Sequence, residues 1–456
     1  DEVTGKCFEV IKESASAVPQ GSVKSIGISS QGEAFTMIDN SGRALCNAFV
    51  SSDSRADIFV KSRAVEFEDK KLYQITGHTP HPMFSLFKLL WVRENMKEEW
   101  ERCLRILCFE DLLQYRLGIT SPAISWSLAG RTMLFDIRNH IWSEEILKSI
   151  GIKRKQLSEP LPSGRFVGYV DKKIARRLNL GDKVAVVTGG HDQPCSALGA
   201  GAVKPGMAVY ASGTVECITP AFKKPLFSEE LRKFNFCTYD HTAEGLYATL
   251  AYSLTGGNLI KWFRDQFGQK EIEIARESSS DPYELLLRQM PEEQTGLSVL
   301  PYFTPSGTPY FDTSVKGTIL GLDLTTTKGE ILKALIEGVA LEIRLNLEIL
   351  EKAGYVVNEL RAIGGGAKSG SLIKLKADII NKPITTLDIT EAGCRGAAIL
   401  AKAAFDKVGA ERIISQWVKP GQVILPRQND LYGKKFQTYK TLYAKLKRNF
   451  YEVSPL

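Results

Sequence analysis

The 456-residue sequence has few of the residues that build metal or nucleophilic centres. It contains only five histidines, and its eight cysteines are scattered, without a Cys-x-x-Cys pair or a zinc-binding Cys/His spacing. Scattered cysteines are typical of free thiols in a reducing compartment, so we expect a cytoplasmic protein. A Gly-x-Ser-x-Gly motif is also missing, which argues against an α/β-hydrolase.

The sequence also lacks a long hydrophobic run and a strong charge excess. No stretch approaches the ~18 uninterrupted apolar residues of a membrane span. The formal net charge of +7 is small for this length; it suits an anionic substrate such as a nucleotide but does not indicate nucleic-acid binding. We therefore expect neither a membrane nor a nucleic acid as a partner. The length favours two domains over a single core.

Strand and helix patterns alternate along both halves of the sequence. In the first half, "VKSIGISS" and "EAFTMID" are predicted to be neighbouring strands, and residues 84–118 are predicted to be helical. In the second half, "VNELRAIGGG" and "KPITTLDI" have strand patterns, and each is followed by a helical pattern. This alternation predicts α/β domains with a cleft between them.

The end of the sequence, from about residue 430 to 452, is predicted to be a basic amphipathic helix. One face carries apolar residues, namely Phe436, Tyr439, Leu442, Leu446 and Phe450. Such a helix either meets a membrane surface or docks on the body of the protein with its charges in solvent. We favour docking, because soluble proteins show the same pattern.

Three glycine-bearing strand ends are candidates for chemistry, and the first is "TGGHDQ". Asp192 follows a buried strand on a glycine loop, which is where α/β sheets place ligands. It could accept a proton from a substrate hydroxyl, or it could simply cap the helix that follows. His191 is a second candidate, as a base or a metal ligand, or as a hydrogen-bonded structural residue.

The other two strand ends are "ASGTVE" and "AIGGGAKSGSL". In the first, Gly213 and Thr214 could present backbone N–H groups to a phosphate, or could form a plain hairpin turn. In the second, three glycines precede a helix, as at a nucleotide site or a structural turn. It is not a Walker A loop, because Ala367 separates Gly366 from Lys368.

Taken together, these segments resemble the FGGY family of carbohydrate kinases. "MFSLFKLLWVREN" (83–95) and "GTILGLDLTTTKGEILKALIE" (317–337) are similar to the two family signatures, and "RTMLFDI" (131–137) is similar to another family segment. The resemblance implies two actin-like, ribonuclease H-like α/β domains, over 1–202 and 203–456, flanking a deep ATP and sugar cleft. It also implies transfer of the ATP γ-phosphate to a sugar or polyol hydroxyl with Mg²⁺.

The resemblance assigns roles to individual residues. Asp192 matches the catalytic base and would also contact Mg²⁺ through water. The residues that match the ATP-binding turns are Gly213, Thr214, Gly256, Gly257, Gly365, Gly366 and Ala367. The candidates for sugar binding are Gln31, Glu33, Asp53, Trp126 and Gln193. Gln31 and Glu33 look like the glycerol-kinase loop, except that Gly32 replaces its arginine.

Several features stay open at this stage. The family's first strand and its Asp-x-Gly-Thr/Ser turn have no counterpart here, so we expect a missing N-terminal segment and weak or no activity of the chain as given. A pentulose such as xylulose or ribulose is the first choice of substrate, and glycerol or another polyol, gluconate and fuculose are alternatives. The rival class is a non-catalytic ATP-binding actin-like protein. The sequence leaves a homodimer open.

Overall fold

The computed structural model describes residues 1–427 and 430–453 and has the α/β organisation expected from the sequence. Helices of the first half are α1 Glu2–Ser16, α2 Asp57–Phe67, α3 Asp69–Thr76, α4 Ser85–Asn95, α5 Lys97–Arg102, α6 Phe109–Arg116, α7 Trp126–Gly130, α8 Glu144–Ile150, α9 Lys172–Arg177 and α10 Asp192–Gly199. Its strands are β1 Ser25–Ser30, β2 Phe35–Ile38, β3 Arg105–Cys108, β4 Ala123–Ser125, β5 Phe135–Asp136, β6 Ile141–Trp142, β7 Glu159–Leu161, β8 Phe166–Tyr169 and β9 Ala185–His191.

The second half contains the larger sheet. Its strands are β10 Met207–Ser212, β11 Glu216–Phe222, β12 Tyr239–Asp240, β13 Tyr247–Ala248, β14 Ala251–Ser253, β15 Ser298–Leu300, β16 Thr318–Leu320, β17 Glu359–Ile363, β18 Ile384–Leu387 and β19 Pro420–Ile424. Its helices are α11 Glu229–Lys233, α12 Gly257–Phe267, α13 Gln269–Ser278, α14 Pro282–Leu287, α15 Lys328–Lys352, α16 Gly370–Ile380, α17 Ala392–Asp406, α18 Ala410–Trp417 and α19 Gly433–Val453. Short 3₁₀ turns cover Arg154–Gln156 and Gly365–Lys368.

In the first half, β9 is the middle strand of a three-stranded sheet. β1 lies parallel to it on one side and β8 antiparallel on the other. The prediction that "VKSIGISS" and "EAFTMID" are neighbours was wrong, because β2 instead pairs with β3. The helical prediction for 84–118 was also wrong over 105–108, where β3 interrupts the helices. The core position of β9 brings its carboxyl end, and Asp192 after it, to the site.

In the second half, β10 and β17 lie at the centre of an eight-stranded sheet. The strand order is β12-β13-β11-β10-β17-β18-β19, and β14 also pairs with β11. The hairpin β10–β11 is antiparallel, whereas β10, β17 and β18 are parallel. The turn after β10 and the turn after β17 therefore leave the sheet at the same edge.

Helices α10 and α17 join the two halves through small residues. A Cβ on Gly396 would lie 1.9 Å from the carbonyl oxygen of Cys195, and a Cβ on Gly199 would lie 1.9 Å from that of Ala392. Glycine at these positions lets the two backbones touch. This contact fixes the helix whose first residue is Asp192.

The final helix, α19, docks on the body of the protein. Its residues Phe436, Tyr439, Leu442 and Phe450 are buried, and Leu446 packs partly buried against the same core. On α15, the Glu342 carboxylate accepts a hydrogen bond from Tyr439, and Glu337 pairs with Lys435. Within residues 1–427 and 430–453, no helix has the length and apolar character needed to cross a bilayer.

Candidate active site

Asp192 lies at the junction of a strand and a helix, since β9 ends at His191 and α10 begins at Asp192. The glycines before it are required by close packing. A Cβ on Gly189 would stand 1.8 Å from the carbonyl oxygen of Ile28 in β1, and one on Gly190 would stand 2.3 Å from Thr242. The start of α10 adds a partial positive charge beside the carboxylate.

The environment of Asp192 makes it a better base than an ordinary aspartate. Although 45% of its side chain reaches solvent, burial and, to a smaller extent, the Glu33 charge raise the pKa of Asp192 to about 6 against the opposing effect of Arg131. The carboxylate is therefore ionised at neutral pH and basic enough to accept a proton.

His191 lies directly beside this carboxylate. Its Nε2 is 3.2 Å from Asp192 Oδ1, and its Nδ1 is 3.0 Å from the hydroxyl of Tyr239 in β12. Burial lowers the pKa of His191 well below its ordinary value, and Arg131 and His78 lower it further. His191 is thus neutral, and it contacts Tyr239 from the second half of the chain.

Arg131 and Glu33 form a buried ion pair next to these groups. The Arg131 guanidinium also lies 3.1 Å from His78 Nε2 and over the rings of Phe84 and Tyr239. Glu33 is predicted from the family resemblance to bind the sugar, and in the structure its carboxylate is engaged by Arg131. Arg131 belongs to the "RTMLFDI" segment, which was recognised as similar to the family but not assigned to the site.

Lys88, from the first signature, anchors the loop that carries Glu33. Its Nζ donates to the carbonyl oxygens of Val50, at 2.7 Å, and of Glu33, at 3.3 Å. Ser85 Oγ donates to the same Glu33 carbonyl at 3.0 Å. Burial lowers the pKa of Lys88 to about 8. The signature lysine therefore ties together the two loops that contain Gln31, Glu33 and Asp53.

The remaining sugar-binding candidates have varied surroundings. Gln31 Nε2 donates to Ser51, and Asp53 Oδ1 accepts from Arg55 Nε at 2.9 Å. The buried Oε1 of Gln193 has no hydrogen-bond partner among the described residues.

Trp126 stands apart from this group. Its indole stacks on His140, with the ring centroids 3.8 Å apart, and it lines a recess together with Asp240 and Tyr247. Its predicted contact with the sugar stays a prediction.

The three predicted nucleotide turns meet at the end of β10. Gly257 N donates to Gly213 O at 2.8 Å, and Asn258 N donates to Thr214 O at 3.0 Å. On the other side, a Cβ on Gly366 would lie 2.3 Å from Ser212 Oγ. Gly256 lies directly before α12, and the 3₁₀ turn after β17 contains Gly365 and Ala367.

A buried ion pair and its hydrogen bonds stabilise the end of β10, where these turns meet. Lys376 pairs with Glu216, and its Nζ lies 2.7 Å from Ser212 Oγ. Tyr210 donates to the same glutamate. Lys376 and Glu216 are almost fully buried. The sequence did not predict this pair, because its members lie 160 residues apart.

The described residues contain no group of three or more His, Cys, Asp or Glu side chains arranged to hold a metal ion. That arrangement fits a Mg²⁺ that arrives with a nucleotide, because Mg²⁺ keeps several waters and needs only one or two carboxylates besides the phosphates. The resemblance predicts that Asp192 holds this ion through water, and this stays a prediction.

Comparisons with known proteins agree with this geometry. The model of the FGGY family of carbohydrate kinases, N-terminal domain, matches residues 1–199, and that of its C-terminal domain matches residues 208–405. A xylulose kinase of Staphylococcus epidermidis is 28% identical over 432 residues, covering 93% of this chain and 83% of that protein. A gluconokinase of Bacillus subtilis is 25% identical over 435 residues, covering 94% and 83%.

The fold is also that of solved family members. The structure of a ligand-bound xylulose kinase from Lactobacillus acidophilus superposes with a TM-score of 0.89 at 21% identity, covering 99% of this chain and 90% of that one. It shows the two-domain, actin-like architecture that the motifs implied. Since both domain models match in the family's order, this protein belongs to the FGGY family of carbohydrate kinases and is a sugar or polyol kinase.

Proposed function

We propose that this kinase transfers the γ-phosphoryl group of ATP to a hydroxyl of a ketose, with a pentulose such as xylulose or ribulose as the first choice. The observation that carries the proposal is the position of Asp192. Its Oδ1 lies 3.2 Å from His191 Nε2, and the same imidazole contacts the Tyr239 hydroxyl of the second half at 3.0 Å. The carboxylate therefore lies where the two halves of the chain meet.

In this proposal Asp192 is the catalytic base. It accepts the proton of the attacking hydroxyl as the oxygen bonds to the γ-phosphorus and ADP leaves. Most of the remaining catalysis is positioning and charge stabilisation. The sugar hydroxyls would be held by Gln31, Asp53 and Gln193. Glu33 would act largely through Arg131. The contact of Trp126 with the sugar stays a prediction.

The nucleotide side rests on the three glycine turns. Gly213, Thr214, Gly256 and Gly257 would present backbone N–H groups to the phosphates, and Gly365, Gly366 and Ala367 would lie against the nucleotide. Bound Mg²⁺ would neutralise part of the phosphate charge. The Lys376–Glu216 pair keeps the first turn in place but is itself nearly fully buried.

Arg131 favours a neutral substrate over an acidic one. A gluconate-type substrate carries a carboxylate, which calls for an unpaired cation. The Arg131 guanidinium is already paired with Glu33, so it offers no free charge. A glycerol-like polyol is the second candidate, because Gln31 and Glu33 resemble the glycerol-kinase loop.

The test is a coupled ADP-release screen of the protein expressed from its complete gene, against pentuloses, hexuloses, aldonates and polyols. The proposal expects the highest kcat/KM with a pentulose. A clear preference for gluconate or glycerol would reject the pentulose assignment. ATP binding without ADP release on any compound would favour the non-catalytic rival.

A further inference from the structure

The imidazole of His191 bridges the two halves of the protein at the catalytic carboxylate. His191 ends β9 in the first half, and Tyr239 opens β12 in the second. Nδ1 lies 3.0 Å from the Tyr239 hydroxyl and Nε2 lies 3.2 Å from Asp192 Oδ1. A neutral imidazole has one N–H, so only one of these contacts can use it.

The partners decide which nitrogen carries the proton. Burial keeps the pKa of Tyr239 well above its ordinary value, so its hydroxyl stays protonated and able to donate. The Asp192 carboxylate only accepts. The arrangement that satisfies both contacts has Tyr239 O–H donating to Nδ1 and Nε2–H donating to Asp192 Oδ1.

Close packing holds the ring in this orientation. A Cβ on Gly32 would stand 2.9 Å from His191 Cδ2 and 3.0 Å from Nε2. The same atom would stand 3.2 Å from the Arg131 side chain. The imidazole therefore occupies the space that a side chain at position 32 would need, and the glycine allows His191 to reach Asp192.

We propose that His191 is a positioning residue whose tautomer is set by Tyr239 and Asp192 together. Its Nε2–H holds Asp192 Oδ1, beside the hydrogen bonds that Gln193 makes to the same carboxylate, and the carboxylate held in this way accepts the proton of the substrate hydroxyl. The contact also links the orientation of the base to the second half of the chain. The expected change in kcat rests on the proposed function. The expected tautomer of His191 does not, because it follows from the contacts of the ring alone.

The tautomer is tested by NMR on protein labelled with ¹⁵N-histidine, with the His191 signals identified by their loss in His191→Gln. We expect an unprotonated Nδ1 and a protonated Nε2 in the wild type. Tyr239→Phe removes the donor to Nδ1, so the Nδ1 signal should shift, while Nε2 stays protonated because the Asp192 carboxylate still accepts from it. Tyr73→Phe removes another buried tyrosine hydroxyl, which among the described residues bonds to backbone carbonyls, and should leave the signals unchanged. An Nδ1–H wild type, or an unchanged Nδ1 signal in Tyr239→Phe, would overturn the proposal.

Gly32→Ala is a second variant that removes no polar group. The added methyl should displace the imidazole and change the His191 Nε2 shift, as expected from the packing. Unchanged shifts in a folded Gly32→Ala protein would contradict the role given to that glycine.

The kinetic arm measures kcat and KM on the preferred sugar. Tyr239→Phe and His191→Leu should lower kcat about tenfold or more, because an unoriented base is used less efficiently, and KM for ATP should change little. His191→Gln, which keeps an N–H donor, should recover part of the loss. A change in KM with no change in kcat would reject the positioning role. A wild-type protein that is inactive on every sugar would contradict the proposed function, but the NMR result would remain valid.

Discussion

Asp192 and Glu33 are neighbouring carboxylates whose surroundings prepare them for different tasks. Glu33 is buried and paired with Arg131, whereas Asp192 remains partly open to solvent and has a raised pKa. The sequence identified both residues, but only the structure shows that Glu33 is engaged by Arg131.

The raised pKa of Asp192 predicts the pH dependence of turnover. Because a base acts when deprotonated and its pKa is about 6 rather than 3.8, kcat should rise with pH up to about 6 and then level off. The measurement is kcat at saturating ATP and sugar between pH 5 and 8. A rate that does not change over this range would contradict the assigned environment of the base.

Truncating the Glu33 side chain should destabilise the protein far more than replacing its carboxylate with an amide. Glu33→Ala leaves the Arg131 charge buried and unpaired, which costs about 3–5 kcal/mol of unfolding free energy. Glu33→Gln keeps an acceptor and should fold, while its sugar affinity falls more than its ATP affinity. Denaturant unfolding and calorimetry measure these effects.

The matched control is Glu244→Gln, which alters the exposed ion pair with Arg165 and should change stability by less than about 1 kcal/mol. Equal losses of sugar and ATP affinity in Glu33→Gln would remove Glu33 from the sugar side.

At the scale of elements, small residues decide how the two halves meet. Gly396→Ala places a methyl 1.9 Å from the Cys195 carbonyl oxygen, so the helices must move apart at a cost of about 1–3 kcal/mol. The midpoint of thermal unfolding should fall accordingly.

Gly5→Ala is the control, because nothing lies within 4 Å of its Cβ in α1 and alanine is the better helix former. Its unfolding midpoint should stay the same or rise. A Gly396→Ala protein as stable as this control would show that α10 and α17 are not in close contact.

Some elements could be predicted from the sequence and others could not. β17 was predicted close to its observed bounds, and the strand before Asp192 and the helices after "VNELRAIGGG" and "KPITTLDI", now α16 and α17, were also predicted. β3 was missed because its four residues lie between two amphipathic helices and share their apolar spacing. The pairing of β1 with β9 joins residues that lie about 160 positions apart, and no local pattern contains that information.

At the scale of the whole molecule, the sequence predicted candidate site residues that lie in local motifs, but it did not predict the residues that support them. The glycine turns and Asp192 are local motifs. Arg131, Tyr239 and Lys376 act through partners that are far away in the sequence, so only folding brings them to the site.

Buried titratable groups should also make the stability of the protein fall between pH 6.5 and 8. Burial raises the pKa of Glu110 to about 7, that of Asp111 to about 8 and that of Glu342 to about 7. Burial lowers the pKa of four histidines, His78, His81, His191 and His241.

The direction in which stability changes with pH follows from the number of protons that the folded and unfolded states bind. The folded carboxyls bind more protons than the unfolded ones, so stability falls as pH rises toward 8. The folded histidines bind fewer protons, so stability rises with pH up to about 6.5. The unfolding midpoint should therefore drop between pH 6.5 and 8, and less so in Asp111→Asn. Asp265→Asn serves as the control, because the pKa of this half-buried carboxyl is lowered by its hydrogen bond to Arg264. A midpoint that rises over this interval would contradict the predicted pH dependence.

The most direct measurement of the central claim is transfer of labelled phosphate from [γ-³²P]ATP to a pentulose by the protein from its complete gene. Wild type and Asp192→Asn are compared at saturating substrates, and ATP binding is measured in both. The account predicts labelled sugar phosphate with the wild type, a loss of at least about 10²-fold in Asp192→Asn, and similar ATP affinities. Equal transfer by the two proteins would show that Asp192 is not the base.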